Sequence, residues 1–330
     1  MVRAAIVGIG RFGQMLVNSV QGKSDRISFV AGTTRTLSKA EDFCREKKID
    51  LRGDIDDLLG DSEIDAVVLA TPHSMHEEQV IRVAQAGKHV FVEKPFTLNV
   101  KSAKAALGAV EQAGVVLGID LQRRFHPSIG AIRERIQDGR LGTIVCCVAE
   151  ITTPASLSLP AGSWRADPNE APAGALTGLG VHVFDGFIDL CGEVAEVYCV
   201  NTKRAAQFDD TTLFTMTHKN GVVSTCVCTQ VSGMSYGVTV FGSNGIAATI
   251  RPSLDRFQFL PRPEAGSPPA QPEIIDHTGF NPLSAGLEAF AAAVNGEAPY
   301  PIPGDQILHG VAVFEAIVQS ASTGLPVKVG

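Results

Sequence analysis

The chain has 330 residues and a formal net charge of −7, with 45% hydrophobic and 19% charged residues. This length predicts two domains with sizeable cores. The composition excludes a disordered chain, and without a long basic block we expect no nucleic-acid or anionic-membrane partner. No run of about eighteen apolar residues occurs, so we expect no transmembrane helix and a cytoplasmic protein.

In the first 120 residues, short runs rich in Val and Ile alternate with longer amphipathic segments. The runs are Ala4–Val7, Ser28–Ala31, Ala66–Ala70, His89–Val92 and Val115–Gly118. The segments between them are Phe12–Val20, Ala40–Lys47, Glu77–Ala86 and Val100–Gln112. This alternation predicts βαβ units and a doubly wound parallel sheet that is covered on both faces.

The pattern changes from about residue 143. Strands of a mostly antiparallel sheet are predicted at Ile144–Ile151, Val194–Thr202, Thr211–Thr217, Val222–Val231 and Tyr236–Gly242. Asn-Gly pairs at 220–221 and 244–245 indicate turns between strands. A helix is predicted over Leu176–Leu190, and two more over Leu283–Asn295 and Gln306–Thr323. We expect an α/β protein with one domain over residues 1–121 and a second over residues 122–330.

A glycine-rich motif follows the first strand directly and opens the first helix. It comprises Gly8, Gly10, Arg11, Phe12 and Gly13. In this context the motif predicts a dinucleotide site, because the free N–H groups at the start of the helix bind a pyrophosphate.

The second strand of such a unit usually ends in an acid that accepts hydrogen bonds from the ribose hydroxyls. This chain has Thr33, Thr34 and Arg35 there instead. These side chains can donate to a 2′-phosphate, so we expect NADP(H), with NAD(H) as the alternative.

Two more loops follow buried strands and therefore lie at the carboxyl edge of the sheet, where ligands bind. The first carries Ala70, Thr71, Pro72, His73 and His76, and the second carries Glu93 and Lys94. A lysine there can donate to a substrate oxygen that becomes negative during hydride transfer.

Together these motifs resemble the glucose-fructose oxidoreductase / inositol dehydrogenase / MocA (Gfo/Idh/MocA) family over the whole chain. The residues that carry the resemblance are Gly8–Gly13, Thr71-Pro72 with His76, Glu93-Lys94-Pro95, Arg123–Pro127, and Gly180 with His182 and Asp185. The resemblance implies an N-terminal Rossmann domain and a C-terminal α/β domain with a large open sheet that forms homodimer or homotetramer interfaces. It also implies reversible oxidation of a sugar, cyclitol or related polyol, with Lys94 as catalytic lysine, His182 as acid/base and a cis Lys94–Pro95 bond.

One position departs from the family pattern. The family has an aspartate four residues before His182, where this chain has Gly178. In a continuous α-helix, Gly178, His182 and Asp185 share one stripe, so the missing acid would have stood one turn from His182. Asp185 is expected to orient His182 or to reach the substrate.

Further substrate contacts are expected from Arg123, Trp164 and Arg165, since a tryptophan face stacks on sugars and arginine holds carboxylates or hydroxyls. The histidines and acids show no metal-ligand spacing, so we expect no metal. Two other functions stay open. One is a redox-neutral elimination or hydrolysis that uses bound nicotinamide, and the other is a non-catalytic dinucleotide sensor.

Overall fold

The computed structural model describes residues 1–160, 162–268 and 270–330, which fold into two compact units. The first unit comprises Met1–Gln122 and Asn281–Val311, and the second comprises Arg123–Phe280 and Ala312–Gly330.

The strands and helices of the first unit follow the predicted alternation. The strands are β1 (Val2–Val7), β2 (Ile27–Thr33), β3 (Asp50–Leu51), β4 (Ala66–Leu69), β5 (His89–Val92) and β6 (Leu117–Ile119). The helices are α1 (Arg11–Val20), α2 (Glu41–Lys47), α3 (Ile55–Leu59), α4 (His76–Gln85) and α5 (Val100–Ala113). The strands form one parallel sheet in the order β3-β2-β1-β4-β5-β6. This is the Rossmann order, in which ligands bind beyond the carboxyl ends of the strands.

The later elements are α6 (Pro127–Gln137), α7 (Val181–Cys191), α8 (Pro282–Val294) and α9 (Gly304–Thr323), with nine further strands. These strands are β7 (Ile144–Thr152), β8 (Val194–Thr202), β9 (Thr211–His218), β10 (Val223–Thr229), β11 (Ser235–Gly242), β12 (Gly245–Thr249), β13 (Arg256–Pro261), β14 (Glu273–Asp276) and β15 (Val327–Lys328). The sheet order is β14-β13-β12-β11-β7-β10-β9-β8-β15. Only the central β7–β10 pair is parallel, so the predicted α/β fold with a mostly antiparallel second sheet is confirmed.

The division of the chain differs from the one expected at residue 121, because the segment that contains α8 belongs with the first unit. The Phe290 ring on α8 lies 5.4 Å from the Phe91 ring on β5. The Tyr300 hydroxyl donates to the Ile119 carbonyl at 2.7 Å. These contacts bury the apolar face of α8 on the parallel sheet, far from it in sequence.

Candidate active site

The glycine turn after β1 has the geometry that a dinucleotide needs. Gly8 has a φ of +96°, and a Cβ there would lie 2.5 Å from the Ala70 carbonyl oxygen. A Cβ on Gly13 would lie 2.0 Å from the Gly8 carbonyl oxygen, so only glycine permits this approach of helix to strand. Gly10 precedes α1, and a Cβ there would meet no atom within 4 Å. With exposed Arg11 and half-buried Phe12 next, the residues present fit a pyrophosphate.

The three residues expected to recognise the adenosine half of the cofactor lie at the end of β2 and differ in their exposure to solvent. Thr33 is buried, and its hydroxyl donates to the Gly53 carbonyl at 3.3 Å. Thr34 is half-buried and Arg35 is exposed. Thr33 is thus held within the fold, and Thr34 and Arg35 are the side chains that can reach a ligand.

The loop after β4 is fixed by side-chain hydrogen bonds. Ala70, Thr71, Pro72 and His73 are half-buried, and the Thr71 hydroxyl donates to Gln79 Oε1 at 2.6 Å. His76 is fully buried, with its ring nitrogens 2.9 Å from the Pro95 carbonyl and 3.1 Å from the Thr71 carbonyl. His76 therefore joins the loops after β4 and β5 and serves a ligand indirectly.

Glu93 and Lys94 follow β5 directly. Glu93 is buried and Lys94 is half-buried. The Lys94–Pro95 peptide bond is cis, as the resemblance implied. Since β1, β4 and β5 are neighbours in the sheet, the glycine turn, the Thr71 loop and Lys94 share one edge of the first unit.

In the second unit, the prediction of a continuous α-helix over Leu176–Leu190 is wrong. Leu176–Gly180 is a π-helical turn, and α-helix begins at Val181. A π-turn is wider than an α-turn, so the single stripe expected to join Gly178 to His182 does not form. Such turns are frequent at functional sites.

The Gln230 carboxamide occupies the space beside Gly178. A Cβ on Gly178 would lie 2.2 Å from Gln230 Nε2. Gln230 Oε1 accepts from the Ser156 hydroxyl at 2.5 Å, and the Gln230 carbonyl accepts from the Ser156 N–H at 2.9 Å. A neutral amide therefore fills the place where the family pattern has a carboxylate. Thr177 does not replace the acid, because it is fully buried and its hydroxyl donates to the Pro172 carbonyl.

Gly178→Ala should therefore destabilise the protein, although alanine favours helices. The methyl group displaces the Gln230 amide and breaks its bond to Ser156, at a cost of about 1 kcal/mol. The matched control is Gly108→Ala on α5, where a Cβ meets no atom within 4 Å and stability should rise by roughly 1 kcal/mol. Urea denaturation of both variants checks this, and equal effects at the two positions would refute the steric role of Gln230.

His182 and Arg123 line one small cavity beside α7. Much of the rest of its wall is formed by Tyr236, Phe187 and Val238. The cavity has room for about one water molecule. The Arg123 guanidinium lies 5.3 Å from the Tyr236 ring centre, and its Nε has no hydrogen-bond partner among the described residues. Two predicted site residues thus come together here.

Asp185 is held by an ion pair within the second unit. It is buried and forms a two-pronged ion pair with Arg124, with Nε to Oδ2 at 3.1 Å and Nη2 to Oδ1 closer still. Burial raises the pKa of Asp185, and Arg124 offsets only part of that rise. The pair anchors α7 to the segment before α6, so the substrate contact expected of Asp185 is not supported.

Trp164 and Arg165 lie on a single 3₁₀ turn over Trp164–Ala166. The Arg165 guanidinium lies 4.2 Å from the Trp164 ring centre, a cation–π contact that covers one face of the indole. This contact leaves at most one face of Trp164 for stacking on a sugar.

His126 makes the stability of the second unit sensitive to acid. Its Nδ1 accepts from the Ser128 N–H at the start of α6, and burial lowers the pKa of His126 to about 4. Since the folded protein prefers neutral His126, stability is full above the unfolded pKa of about 6.5 and falls as the pH drops from there toward 4. Between pH 7.5 and 5 wild type should lose roughly 2 kcal/mol through this group, and His126→Asn, which keeps a cap acceptor, should lose less. Urea titrations at both pH values measure the difference, and identical losses would contradict the assignment.

Two other kinds of site are absent from residues 1–160, 162–268 and 270–330. Within these ranges, no helix is long and apolar enough to cross a membrane. The same ranges contain no group of three or more His, Cys, Asp or Glu side chains placed to hold a metal ion.

Comparison with known proteins decides the family. The model of the Gfo/Idh/MocA oxidoreductase family with NAD-binding Rossmann fold matches residues 2–121, and the model of the family's C-terminal domain matches residues 129–248. The chain belongs to the Gfo/Idh/MocA family. This family member is therefore an oxidoreductase that uses a nicotinamide cofactor.

Relatives match along the whole chain. An uncharacterized oxidoreductase, YrbE of Bacillus subtilis, is 27% identical, with 98% of this chain and 95% of YrbE covered. Inositol 2-dehydrogenase of Rhizobium meliloti is 26% identical, with 97% of each chain covered. The fold matches levoglucosan dehydrogenase in complex with NADH and levoglucosan, with a TM-score of 0.89 at 20% identity and 100% and 99% of the two chains covered.

Proposed function

We propose that this family member transfers a hydride to or from a hydroxyl-bearing carbon of a sugar, cyclitol or related polyol, with NADP(H) preferred. The observation that carries the proposal is the common edge of the first unit, where the glycine turn after β1 and Lys94 after β5 flank the Thr71 loop. The substrate class is supported by the relatives named inositol 2-dehydrogenase and scyllo-inositol 2-dehydrogenase, 37% identical over 43% of this chain.

The chain's own residues have separable roles in this proposal. The nicotinamide supplies or takes up the hydride when it is bound. Lys94 donates a hydrogen bond to the substrate oxygen and stabilises the alkoxide that develops there. His182 holds or accepts the proton, because imidazole is the side chain most often used in general acid/base catalysis. Arg123, beside His182 in the same cavity, orients substrate hydroxyls.

A titration with NADPH and NADH, followed by a turnover panel, tests the proposal. The panel contains myo-inositol, scyllo-inositol, levoglucosan and 1,5-anhydro-D-fructose, each with both cofactors. We expect tight binding of NADPH and turnover of at least one polyol. Cofactor binding without any turnover would favour the sensor function, and product formation without net change in NADPH would favour redox-neutral chemistry.

The NADP(H) preference is supported by the end of β2, which offers Thr34 and exposed Arg35 and no acid. A charge-assisted bond to the 2′-phosphate contributes about 1.5–3 kcal/mol, or roughly 10–100-fold in affinity. Arg35→Asp should therefore reverse the ratio of the two dissociation constants, and Lys39→Asp, an exposed position on the next turn, should change it less.

We also propose that the protein self-associates through the open face of the second sheet. One row of outward side chains crosses three strands as Val200, Leu213 and Val227, each more than 40% exposed. Tyr198 and Val148 extend this apolar surface in the next row, and patches of this kind mark interfaces. Leu213→Asp should reduce the mass measured by light scattering to that of a monomer, while Leu157→Asp, outside the sheet, should leave it unchanged.

A further inference from the structure

Two buried acids face each other at the carboxyl ends of β5 and β6. Val92 pairs with Ile119 in the parallel ladder, so Glu93 and Asp120 are the next residues on adjacent strands. The Asp120 N–H donates to the Val92 carbonyl at 2.9 Å, and the Glu93 N–H donates to the Leu69 carbonyl at 2.9 Å. Their exposed fractions are 8% for Glu93 and 1% for Asp120. The main chain thus fixes both carboxyl groups at the edge that carries Lys94.

The two carboxyl groups lie close enough for the charge of Asp120 to act on Glu93, and Glu93 also accepts from the Lys94 backbone N–H. Two like charges held side by side in a buried site favour retention of a proton on one of them. Burial, followed by the charge of Asp120, raises the pKa of Glu93 well above its usual range, and the charge of Lys94 opposes that rise. Other titratable groups near this edge include His76 on α4, whose Nδ1 lies 2.9 Å from the Pro95 carbonyl, and Tyr300, whose hydroxyl donates to the Ile119 carbonyl at 2.7 Å.

We propose that Glu93 and Asp120 share one proton at neutral pH and act as the proton store for Lys94, so that Asp120 is a positioning residue that acts through Glu93. The proposal rests on the contact of Lys94 with the substrate oxygen given above, and it makes Lys94, rather than His182, the immediate donor of the proton in the reductive direction. In the reductive direction the carbonyl carbon gains a hydride from the reduced nicotinamide, and the carbonyl oxygen gains a proton from the Lys94 ammonium. The shared proton then moves to the neutral Lys94 amine, leaving two carboxylates, one of which is reprotonated from water.

The pair supplies carboxyl groups in the unit that carries Lys94, whereas the Gly178 position has a neutral amide beside it. Two like charges held side by side in a buried site resist ionising together, so the pair retains a proton at a pH where a single exposed carboxyl has lost it.

Infrared spectroscopy of the purified full chain tests the store without a substrate. A protonated carboxyl group has a C=O stretch that carboxylates lack, so wild type at pH 7 should show this band, and Asp120→Asn and Glu93→Gln should each lose it. Lys94→Met removes the charge that favours ionisation, so the band should persist to higher pH in that variant. The proposal would be overturned if wild type lacked the band at pH 7, or if the band disappeared at the same pH in Lys94→Met as in wild type.

Turnover of the polyol that wild type uses tests the function of the pair. Asp120→Asn should lower kcat by about 100-fold and remove a limb of the pH profile, with NADPH affinity unchanged. Asp210→Asn is the control, because Asp210 is buried but bound by three backbone N–H groups in the other unit; it should lower stability and keep the profile. An Asp120→Asn enzyme with the wild-type profile would refute the store. A wild-type enzyme that turns over none of the tested polyols would contradict the proposed function. The infrared result would still show whether Glu93 and Asp120 share a proton.

Discussion

Lys94→Ala should lower turnover by about 10³-fold and leave NADPH binding close to that of wild type. Lys94 follows β5 at the edge that carries the glycine turn, and it is the residue that we propose to stabilise the developing alkoxide. Removing one preorganised donor to such an oxygen typically costs roughly 10²–10³ in kcat, and loss of the proton that Lys94 also supplies adds to that. The backbone groups proposed to bind the pyrophosphate follow another strand, β1, so NADPH binding should be unaffected.

Steady-state kinetics and fluorescence titration measure the two effects separately. Lys104→Ala on the exposed face of α5 is the control for loss of a lysine charge and should behave as wild type. Lys94→Arg should recover little, because guanidinium keeps the charge but cannot release a proton near neutral pH. A Lys94→Ala enzyme with normal kcat would exclude the lysine from the chemistry, whereas loss of NADPH binding would indicate a structural role.

Much of the fold could be predicted from the sequence because its signals are local. The alternation of buried runs with amphipathic segments predicted the strands and helices of the Rossmann sheet except β3 and α3, which are short, and the glycine motif placed the turn after β1. The partner of α8 could not be predicted in this way. Helix periodicity shows that a face will be buried, but the Phe290–Phe91 contact depends on pairing across about 200 residues.

The site was less predictable for the same reason. Lys94 and the glycines have characteristic neighbours in sequence, but Asp120 and Gln230 have none, and their meaning comes from the strand beside each. The π-turn at Leu176–Gly180 also lacked a sequence signal. The Arg124–Asp185 pair was also missed, because helix spacing relates Asp185 to His182, while Arg124 lies 61 residues earlier in the chain.

Arg124→Met should be the most destabilising of these substitutions, at about 3–5 kcal/mol. Both partners of the Arg124–Asp185 pair are more than nine-tenths buried, so the variant leaves a carboxylate in the protein interior without its cation. Since Arg124 lowers the pKa of Asp185 against the effect of burial, that pKa should climb further above its unfolded value of about 3.9. A raised folded pKa means that stability is highest below the unfolded value and falls as the pH rises through the folded one. The loss in Arg124→Met should therefore be larger at pH 8 than at pH 5.

A double-mutant cycle separates the pair from the packing of the arginine stem. Arg124→Met with Asp185→Leu should recover most of the loss, because buried ion pairs are often replaced by apolar residues at little cost. Arg133→Met is the matched control, because Arg133 on α6 also forms an ion pair with a carboxylate of α7. Arg133 pairs with Asp189 at 2.6 Å but is 32% exposed, so its removal should cost at most about 1 kcal/mol. Equal losses of stability for Arg124→Met and Arg133→Met, or a loss that does not change with pH, would show that burial does not set the contribution of the Arg124–Asp185 pair to stability. The anchoring of α7, which carries His182, would then rest on apolar contacts alone.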